Sequence, residues 1–380
     1  MATISESEPI SIGVLFSETG ITSVVEQTQR DAVSLAVSEI NARRGAGNFE
    51  LRPIFLDPAS DPKRYEAEAE NLISQGVRII FGCYMSSARR AVLPVVERAG
   101  ALLFYTTHYE GFEFSANCVY SGAAPNQNSL MLADYMSENF GKRHYFVGSN
   151  YVFPYESNRI MRDLLVARGC PVLEERYIPL NPKDDDIDQI IDEIYKLEPD
   201  VIFSTVVGEG AIKLYQRYAQ KGRTREKSPI MSLTTGEPEI AEMGVDAAEG
   251  HYTCAPYFSS LPRAVNQSFV TAYRSAFGAH APISACTEAA YFQVHLFAEA
   301  LKIGGPDAIL QNLPLVEFDA PQGKVRVDRT TQHTFLTPRI GRVNPSGAFD
   351  IVYDHGSAVR PDPYKVEPEA SGWSRFVGGA

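Results

Sequence analysis

The sequence predicts an α/β protein built as two doubly wound, Rossmann-like lobes, and three observations carry that expectation. Short apolar runs alternate with segments of helical periodicity along most of the chain, as parallel βαβ construction requires. The 380 residues exceed one ordinary domain and suit two. The alternation breaks at GAAPNQN (122–128) and CAPYFSS (254–260), where crossings between lobes are expected, and a third crossing is expected after Pro314. The expected division is 9–121 with 256–328 for the N-terminal lobe and 122–255 with 329–355 for the C-terminal lobe. Residues 356–380 are left as an irregular tail pinned by the sole tryptophan, Trp373.

Taken in order, Ser11 to Phe16 reads as a strand, and Ser23 to Arg43 as an amphipathic helix ending near Gly45. Glu50 to Leu56 is a second strand, and the DPASDP turn leads into a helix over Lys63 to Gln75. Arg78 to Phe81 and Leu102 to Tyr105 are apolar strands flanking a helix whose cap is expected at Ser86 or Ser87 and whose course should kink at Pro94. After a helix at Ser129 to Asn139 the second lobe repeats the scheme. Strands are expected at His144–Gly148, Val172–Tyr177, Val201–Thr205, Ile230–Leu233 and Gly250–Ala255, with helices at Tyr155–Ala167, Asp186–Leu197 and Ala211–Gln220. Helices at Ala264–Phe277 and Ser284–Ile303 return to the first lobe, and short strands at Gly323–Val327 and Phe335–Val343 complete a small hairpin region.

Composition excludes several classes. Apolar residues at 44% and charged residues at 22% are those of a globular chain, and no apolar run approaches the roughly 20 residues of a membrane span. The first twelve residues carry no basic start and no apolar stretch. A cytoplasmic location is therefore expected if Met1 is the native start, and a periplasmic one if a leader was removed. A net charge of -12 argues against direct nucleic-acid binding. The five cysteines show no C-x-x-C spacing, so reduced thiols are expected and neither a metal site nor a cofactor is. There is no P-loop, G-x-G-x-x-G, H-E-x-x-H or G-x-S-x-G, and Cys83 has no local histidine to activate it, so an enzyme is not expected.

The residues just beyond each strand are more informative. The segments Ser17-Glu18-Thr19, Tyr84-Met85-Ser86, Tyr105-Thr106-Thr107, Ser149-Asn150-Tyr151, Ser204-Thr205-Val206-Val207 and Thr234-Thr235 all carry hydroxyls and no Lys or Arg. Strand ends of doubly wound sheets are where such folds hold ligands, and here they suit a small neutral polar molecule enclosed between two lobes. Capping serves equally for Ser86, Thr107 and Thr234 (Thr234-x-x-Glu237 has capping-box form), as core packing does for each tyrosine. Their joint recurrence at strand ends favours a site. His108 alone reads as structural.

GCYMSSARRAVLPVVERAGALLFYTTHYEGFE (82–113), with LFSETG (15–20), APNQNS (124–129), GSNYVFPYESN (148–158), VLEERYIPL (172–180), IFSTVVG (202–208), SLTTGE (232–237), APYFSS (255–260), APQGKVRV (320–327) and RPDPY (360–364), resembles the AmiC-like amide-sensing negative regulators of amidase operons, nearly end to end. That resemblance implies the type I periplasmic-binding-protein fold and an acetamide-like ligand. It assigns Tyr84, Ser86, Tyr105 and Thr107 to one side of the ligand and Tyr151, Val207 and Thr234 to the other; Phe153, His108 and Thr205 complete the candidate set. It implies a partner, an AmiR-like RNA-binding antitermination regulator. Transport relatives of the same fold share the YEG loop and the PNQ turn, which leaves the solute-binding component of an ABC transporter, with its permease as partner, as the alternative. A second copy of the chain is a further candidate partner. Thr106 and His108 stand where the amide sensors carry prolines, and Phe153 where they carry tyrosine, so urea and formamide join acetamide as candidate ligands.

Overall fold

The computed structural model describes residues 9–43, 49–111, 113–221 and 228–364. They form two compact units: the described residues within 1–107, 113–122 and 257–337, and those within 108–111, 123–256 and 338–364.

In the first unit, β1 (Ile10–Leu15), β2 (Leu51–Leu56), β3 (Ile79–Gly82), β4 (Leu102–Tyr105) and β5 (Cys118–Tyr120) make one parallel sheet in the order β2-β1-β3-β4-β5. Helices α1 (Ser23–Ala42), α2 (Pro62–Ser74) and α3 (Ser86–Ala99) connect the first four strands. β3 and β4 are buried at every residue, which is why they read as continuous apolar runs with no alternation. Asp61 caps α2 by accepting the Lys63 N–H at 2.9 Å, with Pro62 in the first turn, where its missing N–H costs nothing. The N-cap of α3 is Met85, so Ser86 is the first helical residue and not the expected cap. α3 continues through Pro94 and ends at Gly100, whose φ of 61° is left-handed.

The second unit holds α4 (Ser129–Asn139), β6 (His144–Ser149), α5 (Val152–Ala167), β7 (Val172–Ile178), α6 (Asp184–Leu197), β8 (Val201–Thr205), α7 (Gly208–Gln220), β9 (Ile230–Ser232), α8 (Glu237–Met243), α9 (Val245–Ala248) and β10 (Tyr252–Ala255). The chain then returns to the first unit with α10 (Ala264–Phe277), α11 (Ala285–Gly304), α12 (Ile309–Asn312) and the hairpin β11 (Phe318–Ala320) and β12 (Gly323–Val325). β13 (Arg339–Val343) and β14 (Phe349–Asp354) add antiparallel strands to the second sheet, giving the order β14-β13-β10-β9-β8-β6-β7. The first core centres on Phe81, Phe104 and Phe297, whose ring centroids lie 4.8–5.9 Å apart. The second gathers Phe146, Met161, Leu165, Phe203 and Met231.

Among the boundaries that differ from the expectation, three have a local reason. The third crossing falls between residues 337 and 338 and not at 328, because Tyr120 exchanges backbone hydrogen bonds with Gln332 (2.9 Å) and Thr334 (3.0 Å), which ties 329–337 to the first sheet. Residues 108–111 group with the second unit, where the Tyr109 N–H donates to the Ala123 carbonyl at 3.0 Å. α8 starts from Gly236, whose N–H donates to the Glu239 carboxylate at 2.9 Å; Thr234 serves elsewhere, so Thr234-x-x-Glu237 is not the box. β5, β11 and β14 carried no expectation. The tail is irregular from Gly356 to Tyr364 and is held by the PNQ turn: Asn126 bonds Arg360 and Asp362 at 2.8 Å, and Gln127 bonds Val359 at 2.9 Å. Trp373 lies outside the described residues.

Candidate functional site

Both sheets share one topological feature. β1 has β2 on one side and β3 on the other, and β6 likewise sits between β7 and β8. At such a switch point successive connections diverge to opposite sides and leave the carboxyl ends of the strands open to a ligand. The candidate residues follow these strands and their neighbours.

In the first unit, β3 is drawn against β1 at Gly82, where a Cβ would stand 2.5 Å from the Leu15 carbonyl oxygen, and Cys83 then turns at φ 68°. This delivers Tyr84 and Ser86 to the start of α3, both nearly fully buried. Tyr105 donates its hydroxyl to the Tyr84 carbonyl at 3.0 Å, joining two strand ends. Its ring stacks over the guanidinium of Arg89 at 4.7 Å; Arg89, wholly buried, pairs with Glu113 at 2.6 Å. Thr106 accepts from Gln29 Nε2 at 2.5 Å. Thr107 is buried, and its hydroxyl has no hydrogen-bond partner among the described residues.

The first strand end is engaged otherwise. Ser17, Thr22 and Tyr65 surround the buried Glu26, whose carboxyl is pushed up by desolvation against the hydrogen bonds of those groups. Thr19 and the Glu18 N–H bond Asp57 at 2.8 and 2.9 Å. Ser17, Glu18 and Thr19 thus close a turn. Burial, with the nearby Glu26, also drives the Cys83 thiol well above its ordinary range, which fits a structural thiol.

In the second unit, Ser149 accepts the Val207 N–H at 3.2 Å, and Thr234 donates to the Val206 carbonyl at 2.8 Å. Three strand ends, those of β6, β8 and β9, are linked by these two bonds. Tyr151 caps α5, half-buried, with its ring 6.3 Å from that of Phe153. His108 belongs to this group: it is buried and bonded to the Leu233 backbone beside Thr234, and burial lowers its pKa to about 4, so it is neutral at pH 7. Thr205 does not join the cluster. It is fully buried with its hydroxyl donated to Asn158 at 2.9 Å, so its function is to anchor β8 to α5.

The structure therefore assembles Tyr84, Ser86, Tyr105 and Thr107 in one unit, and His108, Tyr151, Phe153, Val207 and Thr234 in the other. Sequence reasoning missed Gln29 and Arg89. The signal for Gln29 was present: it recurs with Val25, Ala32, Val33 and Ala36 on the buried face of α1, an unusual place for an amide. Among the described residues no cluster of His, Cys, Asp or Glu could hold a metal ion, and no helix is long and apolar enough to cross a membrane.

A family model described as the periplasmic binding protein domain matches residues 10–370. The chain belongs to that family. The fold of this periplasmic-binding-protein relative agrees with solved structures of low identity. A solute binding protein of an ABC transporter from Rhodopseudomonas palustris BisB5, in complex with 3,4-dihydroxybenzoic acid, superposes with a TM-score of 0.82 at 20% identity, covering 95% of this chain and 99% of that one. A branched-chain amino acid transporter substrate binding protein from Streptococcus pneumoniae, in complex with isoleucine, gives 0.78 at 19% identity, covering 93% of this chain and 100% of that one. Curated relatives match over shorter stretches. A leucine-, isoleucine-, valine-, threonine- and alanine-binding protein of Pseudomonas aeruginosa is 27% identical over 97 residues, 26% of each chain. A protein named limonene hydroxylase from Geobacillus stearothermophilus is 32% identical over 126 residues, 32% of this chain and 22% of that protein. These stretches span about a quarter or less of the relatives they match. The fold common to the two structural relatives is a solute-binding one, with small ligands bound in both of them.

Proposed function

We propose that this chain is a non-enzymatic binding protein for a small neutral, amide-like solute, acting as the solute-binding component of an ABC-type uptake system outside the cell membrane. The observation that carries the ligand class is the chemistry of the strand ends. Their polar groups are the hydroxyls of Tyr84, Ser86, Thr107 and Tyr151, the hydroxyl oxygens of Tyr105 and Thr234, whose protons go to the Tyr84 and Val206 carbonyls so that they can only accept, and the neutral imidazole of His108. An ionised solute enclosed by these groups alone would be desolvated without a countercharge, at a cost of several kcal/mol. Acetamide, urea and formamide meet no such cost: hydroxyls whose proton is not already given to the backbone can donate to their carbonyl, and all the hydroxyl oxygens can accept from their N–H groups. The relatives that bind solutes for ABC transporters support the uptake role.

A second reading is favoured by the stretches from LFSETG to RPDPY: a cytoplasmic amide sensor that releases an AmiR-like antitermination regulator when the ligand binds. In either role the signal is the difference in affinity between two conformations. A four-heavy-atom ligand at about 1.5 kcal/mol per atom supplies at most ~6 kcal/mol, a dissociation constant of order tens of micromolar.

The test is thermal unfolding in the presence of acetamide, propionamide, formamide, urea, leucine and 4-hydroxybenzoate. A midpoint raised by the neutral compounds alone is expected, since a ligand of the native state stabilises it by linkage. A rise with leucine or 4-hydroxybenzoate only would overturn the neutral-ligand reading. Acetamide-sensitive capture of an RNA-binding protein would move the role from uptake to regulation.

A further inference from the structure

The end of β4 is gripped from both faces of the sheet. Side chains alternate along a strand, so Phe104 and Tyr105, the last two residues of β4, face opposite ways, and Thr106 and Thr107 follow just beyond the strand. Phe104 meets Phe297 of α11, with centroids 5.9 Å apart, and Thr106 meets Gln29 of α1. On the opposite face Tyr105 lies over Arg89 of α3. The adjacent strand end is treated the same way. The Ser121 N–H donates to the Tyr105 carbonyl at 2.7 Å, and its hydroxyl reaches Gln293 Oε1 of α11 at 3.4 Å.

Gln29 and Gln293 are wholly buried, and burying a carboxamide is costly unless both of its ends are bonded. Among the described residues Gln29 Oε1 and Gln293 Nε2 have no hydrogen-bond partner. Each amide therefore meets a strand-end hydroxyl at one end, Gln29 in a short bond to Thr106 and Gln293 in a long, weak contact with Ser121. An apolar side chain would fill the same space on α1 without that cost, so the bond to Thr106 is what distinguishes glutamine there. Thr107 comes directly after it, buried, with a hydroxyl lacking a partner among the described residues.

We infer that Gln29 is a positioning residue for ligand recognition: by holding Thr106 to the α1 side it fixes the direction in which Thr107 presents its hydroxyl. The inference rests on the reading of Thr107 as a ligand contact. Gln29 acts through Thr106 and does not itself touch the ligand.

The experiment is a cycle of Gln29→Met, Thr106→Val and the double variant, with acetamide and urea affinities from calorimetry and hydrogen exchange at the Thr107 amide. Each single variant is expected to weaken acetamide binding about tenfold, as loss of one hydrogen bond would. The double variant should lose no more than either single, because both remove the same bond. Thr107 should exchange faster in all three. Far-UV circular dichroism checks the fold, and Thr106→Val carries the test if Gln29→Met does not fold. Unchanged affinity in both singles, or losses that multiply in the double, would overturn the inference. If the wild type binds neither acetamide nor urea, the amide reading falls, and exchange alone decides for Gln29: faster exchange at Thr107 in Gln29→Met supports positioning, and unchanged exchange refutes it.

Discussion

Arg89 lies beneath Tyr105, its guanidinium carbon 4.7 Å from the ring centre and its side chain wholly buried. A charge so placed is tolerated because it is shared among partners that include the Tyr105 face, the Tyr120 face at 6.0 Å and the Glu113 carboxylate. The pair joins the start of α3 to the end of β4, the two segments that carry Tyr84 and Thr107.

Arg89→Met should therefore be costly. Removing one partner of a buried pair and its cation–π contacts is expected to destabilise by about 3–5 kcal/mol, and Arg89→Lys should recover only part of it, since a lysine cannot lie flat on a ring and fork to a carboxylate. Urea unfolding of the two variants checks both statements; equal stability of Arg89→Lys and wild type would contradict them.

Tyr151 offers a cleaner separation of binding from folding. It is half-buried and stands at the N-cap of α5 with no side-chain hydrogen bond capping the helix. Tyr151→Ala is expected to cost under about 1 kcal/mol of stability while weakening acetamide binding by about tenfold or more, as loss of an aromatic anchor does. Retained affinity by calorimetry would remove Tyr151 from the site.

Glu239 makes stability depend on pH. It is fully buried behind the Thr234-Thr235 turn, and desolvation raises its carboxyl from 4.5 to about 7, against the Gly236 N–H. The folded state thus holds a proton between pH 4.5 and 7 that the unfolded chain has released. Its stabilising contribution is full below pH 4.5 and is lost as pH rises through 7, by about 3 kcal/mol at most. Relative to Glu239→Gln, whose amide oxygen can still accept from Gly236, the wild type should lose stability between pH 5 and 8 in urea unfolding. A constant difference across that range would show that Glu239 does not titrate there.

The cysteines supply a test of thiol chemistry. All five are free and buried, and burial pushes the Cys118 thiol up to about 12. None is expected to react promptly with a thiol reagent in the native protein, and all five should react in urea. Fast labelling of Cys83 in the folded state would reopen a chemical role for it.

Much of this molecule was legible in one dimension. β4, α4 and α10 have the bounds that their apolar runs suggest, because a strand buried on both faces or a helix with one apolar stripe writes its period into the sequence. Pro62 and Asp61 announced a helix start for the same local reason. β5 and β14 were not legible: three residues show no period, and an edge strand with alternating exposure owes its place to its neighbour.

The sequence by itself determined the two-unit α/β plan and the run of hydroxyl-bearing strand ends, since both arise from local periodicity and residue type. Only the tertiary structure decided which hydroxyls remain available. Thr205 and Ser17 read like Thr107 along the chain, yet the Thr205 hydroxyl is consumed by Asn158 and the Ser17 hydroxyl by Tyr65 and the Ser60 N–H. Those partners lie 47, 48 and 43 residues away in sequence. Hydrogen bonds across such separations depend on packing, which no local pattern encodes.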